Sequence, residues 1–257
     1  MPDRIQTTDP LIGASTDATV AASAHEDYSL ETLTETVHYN EWIYESMRPW
    51  IGQRVLELGA GIGNLTPFFL REDRSVLAID IDAGLVQRHR SGIPAQPRLT
   101  VECVSVQDVA ARKSAPGTFD SIVSSNVLEH IPDGIDHEVV QAIHTLLRVG
   151  GTTIHWVPAM NAIYGSIDKS FGHYRRYNRP MATALFAPHG FRVIRCEYWN
   201  MPGFFAWWFR GRILRRRALG KASTLAFDRY VVPLLRRVEP HIPRPFGQSL
   251  LLVAQKA

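Results

Sequence analysis

The sequence predicts an α/β fold, a mostly parallel seven-stranded sheet with helices on both faces. Three observations carry that prediction. Short apolar runs bounded by turn residues alternate with amphipathic segments along most of the chain. Glycines follow the ends of helical segments, as at Gly150 and Gly190. The run "VLELGAGIGN" at 55–64 leaves a buried-looking strand through three glycines in five residues. Such a cluster marks a place where something approaches the backbone closely. Strands that alternate with helices pair in parallel, because each crossover needs a helix and the helices then cover both faces.

The elements follow in order. Residues 1–27 are rich in Thr, Ser, Ala and Asp without a sustained period, which predicts a flexible tail ahead of a single domain at 28–257. From Ser29 to Trp50, apolar residues fall at helical spacing (Leu30, Leu33, Val37, Trp42, Ile43, Met47), and Pro49 marks the end. "RVLELG" is the first strand. "NLTPFFLRE" is a helix that tolerates Pro67 near its start. "SVLAID", "RLTVECVS", "FDSIVSSN", "GTTIHWVP", "FRVIRCEYW" and "SLLLVAQK" read as the remaining strands. "AGLVQRHRS", "GIDHEVVQAIHTLLRVG" and "MATALFAPHG" read as helices between them. Two stretches exceed a minimal α/β layer. One is the loop Ala159 to Arg179; the other, 200–246, predicts a helical cap inserted before the last strand.

Composition narrows the function. The 257 residues are 45% hydrophobic and 21% charged, as in ordinary globular proteins. No apolar run is long enough to span a bilayer, and no signal-peptide core opens the chain, so a cytoplasmic location is expected. Cys103 and Cys196 lie in strand-like runs and read as buried thiols of a reducing compartment. No Cys/His cluster has zinc spacing, so no metal is expected. The net charge of +3 is uneven. From Trp199 onward, eleven Lys and Arg stand against Asp228 and Glu239, a net +9 that leaves −6 for the rest. That asymmetry fits solvated helix faces or an anionic partner, either a phosphate-bearing substrate or a membrane surface. No nucleic-acid motif is present, so nucleic acid is not an expected partner.

The glycine loop lies between the first strand and its helix. "GAGIG" is one residue shorter than the dinucleotide pattern and lacks the Lys-Ser/Thr of a phosphate-cradling loop. Glu57 just before it would repel pyrophosphate and attract a cationic amine. Asp80, at the end of the second strand, can accept hydrogen bonds from a ribose diol. A cation, a ribose and an adenine without phosphate are the expected ligand parts.

These residues resemble the class I S-adenosylmethionine-dependent methyltransferases. The resemblance runs in order through "VLELGAGIGN", "VLAIDID", "FDSIVSSNVLEHIPD" and "LLRVGGTTIHWVP", with "SLLLVAQK" similar to the family's terminal strand. It covers roughly residues 38 to 198 and implies a Rossmann-like sheet. It implies that Glu57, Gly59, Ala60, Gly61 and Gly63 surround the methionine end of the cofactor. Asp80 would hold the ribose, Ile81 the adenine, and Asn126 and Val127 would pass beneath the sulfonium. The family often places an acid after the third strand; here Ser105 and Val106 stand there. "HYNEWIYE" resembles a lead-in helix that closes over the cofactor, with Tyr39 the foremost candidate. S-adenosylhomocysteine would be the product.

The acceptor side is less ordered. "NVLEHIPD" offers His130 as a base, or as part of the cofactor pocket wall. "YGSIDKSFGHYRRYNR" gathers Tyr164, Asp168, His173, Tyr174, Arg175, Arg176 and Tyr177 after the fifth strand. Its "GHYRRY" resembles a loop in a bacterial subset of these enzymes, often of carbohydrate or secondary-metabolite pathways. Asp168 and His173 are expected catalytic groups beside His130, and the tyrosines and arginines are expected substrate ligands. The alternative is a structural clamp. From Phe204 to Arg217, a cluster of aromatics stands beside five arginines, which suits an acceptor lid, a peripheral membrane contact at the inner face, or a homodimer interface. The expected reaction is O-methylation of a small-molecule or lipid-linked acceptor. A non-methylating enzyme of the same fold and a non-enzymatic adaptor are the rivals.

Overall fold

The computed structural model describes residues 31–216 and 220–257. The predicted tail at 1–27 and Arg217 lie outside these residues.

Seven strands form one sheet: β1 (Arg54–Leu58), β2 (Ser75–Asp80), β3 (Leu99–Cys103), β4 (Phe119–Ser125), β5 (Leu147–Pro158), β6 (Phe191–Trp199) and β7 (Ser249–Lys256). Their order is β3-β2-β1-β4-β5-β7-β6. All pairings are parallel except those of β7, which runs antiparallel to both β5 and β6. The chain reverses direction across the sheet between β1 and β4, so their carboxyl ends open the crevice where such sheets bind ligands.

Helices fill both faces. Those on the main chain are α1 (Val37–Met47), α2 (Thr66–Phe69), α3 (Ala83–Gly92), α4 (Val106–Ala110), α5 (Ile135–Leu146), α6 (Ser166–Ser170) and α7 (Arg179–Phe186). Between β6 and β7 follow α8 (Met201–Trp207), α9 (Lys221–Ala226) and α10 (Val232–Val238). Wider π turns at Trp208–Ile213 and Phe227–Val231 extend α8 and link α9 to α10. One core packs Val106, Val109, Val140, Ile143 and Phe186 from α4, α5 and α7 under the sheet. The other packs Trp42, Met47 and Phe69 from α1 and α2 with Val232 and Leu235 of α10. The inserted segment is therefore anchored in the main core, not merely laid over it.

The structure corrects three local expectations. The lead-in is not one helix. A helical turn at 31–34 ends where the Thr36 hydroxyl and the Asn40 amide both donate to the Leu33 carbonyl, at 2.8 Å each, and α1 starts afresh at Val37. The helix before the fifth strand stops at Leu146 instead of running to the glycines. Gly150 at φ 74° opens a bulge there, so β5 begins at Leu147 and shifts register against β4. Cys103 is exposed, not buried, because it ends an edge strand; both cysteines are free. Among the described residues no helix is long and apolar enough to cross a membrane.

The inserted helices are tied down by buried acids. Glu239, 1% exposed, accepts from the backbone N–H groups of Asn200 and Met201, both at 2.8 Å, at the start of α8. Asp228 accepts from the Tyr39 N–H at 2.7 Å in the first turn of α1. Arg236 pairs with Glu41 and Glu45 on the same helix. Orphan N–H groups at helix starts and the positive end of the dipole favour these carboxylates.

Candidate active site

The glycine loop turns because three of its residues sit in the left-handed region: Gly59 (φ 67°), Gly61 (54°) and Gly63 (87°). At Gly59 sterics also decide, since a Cβ would lie 2.4 Å from Val127 Cγ2. The loop is pinned by Ala60 N–H donating to the Ile79 carbonyl at 3.0 Å and Gly61 N–H donating to Asp80 Oδ2 at 2.8 Å. Asp80 Oδ1 takes the Asp82 N–H at 3.0 Å. Each Asp80 oxygen has one N–H partner and keeps a lone pair for a hydroxyl.

Around this loop lies a cleft of about 860 Å³. Its walls include Glu57, Gly59, Ala60, Gly61, Asp80, Ile81, Ser105, Val106, Asn126, Val127 and Tyr39. Gly63 is missing from this wall; a Cβ there would strike the His89 ring at 2.8 Å, so it serves packing against α3. Ser105 has a second task, because its hydroxyl caps α4 by accepting the Asp108 N–H at 3.1 Å. Ile81 is 80% exposed on the cleft wall, an apolar surface fit for a flat base. Glu57 is buried, and its Oε2 accepts the Thr66 hydroxyl at 2.6 Å. Burial, aided by the charge of Asp80, pushes its carboxyl up to about 8. A carboxylate held in so poor a solvent is stabilised by a cation placed beside it. Asn126 sits at φ 54° and donates its N–H to the Trp156 carbonyl at 2.7 Å, which turns the chain beneath the cleft.

A second cavity of about 400 Å³ opens beside the first. Its roof is formed by Gly203, Ala206, Trp207, Arg210, Phe227 and Asp228 of the inserted segment, and its floor by Pro158, Gln248 and Ser249 at strand ends. Leu33, Tyr39, Asn126 and His130 line both cavities and form their junction. Phe171, His173 and Arg176 close one side of the second cavity.

The loop 159–179 divides into two sets. His173 and Arg176 reach the cavity. Arg176 is 1% exposed; it donates to Asp168 Oδ1 at 2.7 Å and to the Ala159 carbonyl at 2.9 Å, and lies over the Trp207 ring at 4.6 Å. Asp168 is fully buried and lines neither cavity. It also accepts from the Gly165 N–H (2.9 Å), the Trp207 indole (3.1 Å) and His173 Nδ1 (3.1 Å). Those donors outweigh burial and hold its carboxyl below the usual range, so it stays ionised and positions His173. The other expected substrate ligands face elsewhere. Arg175 is clamped by Asp133, Asp136 and the Ile131 carbonyl. Tyr177 donates to the Leu128 carbonyl, Tyr164 donates to the His173 carbonyl, and the Tyr174 ring is 60% exposed. Tyr164, Tyr174, Arg175 and Tyr177 shape the loop; they do not line the cavity.

His130 and His173 meet edge to face at 4.8 Å between ring centres. Burial, then the neighbouring His173, lowers His130 to about 4. It is a neutral imidazole at the junction. Sequence reasoning missed Asn200, Asp228 and Gln248: the first two lie in the segment read only as a helical cap, and Gln248 lies between that segment and the last strand.

Residues 56–153 match the family model described as a methyltransferase domain. Those residues, which hold the glycine loop and Asp80, are thus similar to a methyltransferase domain. The ubiquinone biosynthesis O-methyltransferase of Xanthomonas campestris is 32% identical over 148 residues, 52% of this chain and 60% of that one. The enzyme of the same description from Chromobacterium violaceum is 36% identical over 155 residues, 54% of this chain and 63% of that one. The chain thus spans somewhat less than two thirds of these curated relatives. Among solved structures, an S-adenosylmethionine-dependent methyltransferase from Archaeoglobus fulgidus shares the fold (TM-score 0.57, 15% identity, 84% of this chain and 94% of that one). So does the Burkholderia thailandensis 1,6-didemethyltoxoflavin-N1-methyltransferase, solved with its substrate and S-adenosylhomocysteine (TM-score 0.56, 17% identity, 100% and 94%). The glycine-loop cleft of this methyltransferase domain suits its cofactor. By their chemistry the buried Glu57 would suit the cationic methionine end of that cofactor, the free lone pairs of Asp80 its ribose, and the exposed Ile81 its adenine.

Proposed function

We propose that the protein transfers the methyl group of S-adenosylmethionine to an oxygen of a small or lipid-linked hydroxylated acceptor held under the inserted helices. One observation carries this reading: the second cavity meets the cofactor cleft at Tyr39, Asn126 and His130, where the sulfonium end would lie. When bound, the cofactor supplies an activated methyl group. The residues supply position, which is the larger part of catalysis for a displacement between two held reactants. Tyr39 and Asn126 set the junction. The acceptor hydroxyl faces His130 and His173, gains the methyl carbon on its oxygen and loses its proton to solvent. Phe171, Trp207 and Phe227 provide apolar walls that keep water away.

The oxygen assignment is supported by the relatives named for ubiquinone biosynthesis. A lipid-linked acceptor is supported by the insertion's outer surface. Phe205, Trp208, Phe209, Ile213 and Leu214 are exposed there beside Arg212, Arg215 and Arg216, the composition of an interfacial helix. The test is turnover with a panel of hydroxylated aromatic acceptors of increasing apolar tail length, read as S-adenosylhomocysteine release. The reading expects release with hydroxylated members, and none when the hydroxyl is replaced by hydrogen. Cofactor binding without release from any acceptor would contradict it.

A further inference from the structure

Proton transfer does not account for Glu129. It is 0% exposed, and neither carboxylate oxygen has a hydrogen-bond partner among the described residues. A buried carboxyl without a partner is costly, and such groups persist where a ligand completes them. Its position is nonetheless well determined. Its own carbonyl accepts the Tyr174 N–H at 2.8 Å, which ties the turn carrying Glu129 and His130 to the loop carrying His173.

Three donor atoms converge there. One oxygen of Glu129 and one ring nitrogen each of His130 and His173 lie within 4.8 Å of one another. The tautomer of His173 follows from its partner. Asp168 already accepts from Arg176, the Trp207 indole and the Gly165 N–H, and the same acceptor faces His173 Nδ1 at 3.1 Å, so Nδ1 is the donor and Nε2 keeps its lone pair. A carboxylate behind an imidazole is the usual support of a metal-bound histidine. Asp168 is in turn fixed by Arg176, Trp207 and the Gly165 N–H.

We propose that Glu129, His130 and His173 bind one divalent transition-metal ion, open toward the acceptor cavity, and that this ion takes up two neighbouring oxygens of the acceptor. The proposal rests on the methyl-transfer reading for its acceptor half only. Two imidazoles and one carboxylate suit Mn²⁺, Fe²⁺, Co²⁺ or Zn²⁺ better than Ca²⁺ or Mg²⁺. Three protein ligands leave positions open, the arrangement of a catalytic site and not a closed structural one. Both imidazoles line the acceptor cavity, and the buried Glu129 lies within reach of them. The ion and one carboxylate leave a net positive charge facing the cavity. A hydroxyl bound there loses its proton to solvent more readily. A second, adjacent oxygen on the same ion would orient the acceptor, so that one oxygen faces the methyl donor. The acceptor class is thus an aromatic or enolic compound with two vicinal oxygens. The sequence hides this site, because His173 lies far from Glu129 and His130 in the chain and no ligand spacing repeats.

The test uses the full chain stripped with a chelator and titrated with Co²⁺, followed by visible d–d absorption. The expected result is one saturating equivalent, displaced by Zn²⁺, with absorption that shifts on adding catechol but not phenol. Glu129→Gln and His173→Asn should each weaken Co²⁺ binding at least tenfold, while S-adenosylhomocysteine titration shows that both variants still bind the cofactor. Should the variants fail to fold, X-ray absorption of the wild-type Zn²⁺ form decides, with two imidazole ligands and no sulfur expected. No saturable binding of Co²⁺, Zn²⁺ or Mn²⁺, or a Zn²⁺ shell without imidazole, would overturn the site. Co²⁺ binding with no response to catechol would overturn the acceptor half. Metal binding without any S-adenosylhomocysteine binding would keep the site and remove the methyl-transfer reading instead.

Discussion

Asp80 holds the glycine loop with one oxygen and the β2 turn with the other, while its remaining lone pairs face the cleft. Asp80→Ala therefore removes a ligand contact and loosens the loop together. The expected loss of S-adenosylhomocysteine affinity is about 100-fold, near 3 kcal/mol, as for charged hydrogen bonds, measured by calorimetry. Gly59→Ala tests the loop sterically. Its Cβ would meet Val127 at 2.4 Å from a backbone at φ 67°, so melting should fall and cofactor affinity should drop with it. The sequence puts Glu57, Gly59 and Asp80 together at one cleft wall because each stands at or just past a strand end, and the structure places all three on that wall. Arg175 and Tyr177, expected as substrate ligands, were harder to place for the converse reason. Arginine and tyrosine in a loop look alike whether they hold a substrate or a carbonyl, and only the fold shows Asp133, Asp136 and Leu128 as their partners.

At the scale of elements, the strands were read with small errors, since a parallel sheet buried on both faces writes itself as apolar runs. Helix ends were read less well. The break at Thr36 comes from side chains bonding to a carbonyl, and the end at Leu146 from a bulge across the sheet, neither of which is a periodic signal. The inserted segment was legible only as a composition. Its placement depends on Glu239 and Asp228, single acids that reach across many residues of chain to cap α8 and α1. Glu239→Gln should cost about 1–3 kcal/mol, because buried N–H groups lose a charged acceptor. It should raise the acceptor KM more than it weakens S-adenosylhomocysteine binding. The outer surface gives a further prediction. The wild type should co-sediment with anionic vesicles and not with neutral ones, and Phe205→Ser with Trp208→Ser should abolish this while leaving cofactor binding intact. Equal recovery with neutral vesicles, or none with anionic ones, would remove the membrane contact.

For the whole molecule, Glu57 links cofactor and stability. Its carboxyl titrates near 8 when folded and near the ordinary value when unfolded. Between those values the folded state keeps a proton that the unfolded state has lost, so stability of the cofactor-free protein falls as pH rises. The fall should amount to a few kcal/mol from the ordinary carboxyl range to about 8, and Glu57→Gln should flatten it. Denaturant midpoints across that range measure it; a curve unchanged by Glu57→Gln would show another group responsible. The two faces of the sheet share these tasks. One carries the core under α4, α5 and α7; the other brings α1 and α10 together, so that the cofactor cleft and the covered cavity meet at Tyr39.

The proposed reaction requires that the glycine-loop cleft hold S-adenosylmethionine and feed the cavity beside it. Calorimetric titration of the wild type with S-adenosylhomocysteine, beside Asp80→Ala and Ala206→Trp, tests it most directly. One site is expected in the wild type, strong loss in Asp80→Ala, and near-native affinity in Ala206→Trp, which fills only the second cavity. No binding by the wild type, or binding untouched by Asp80→Ala, would contradict it.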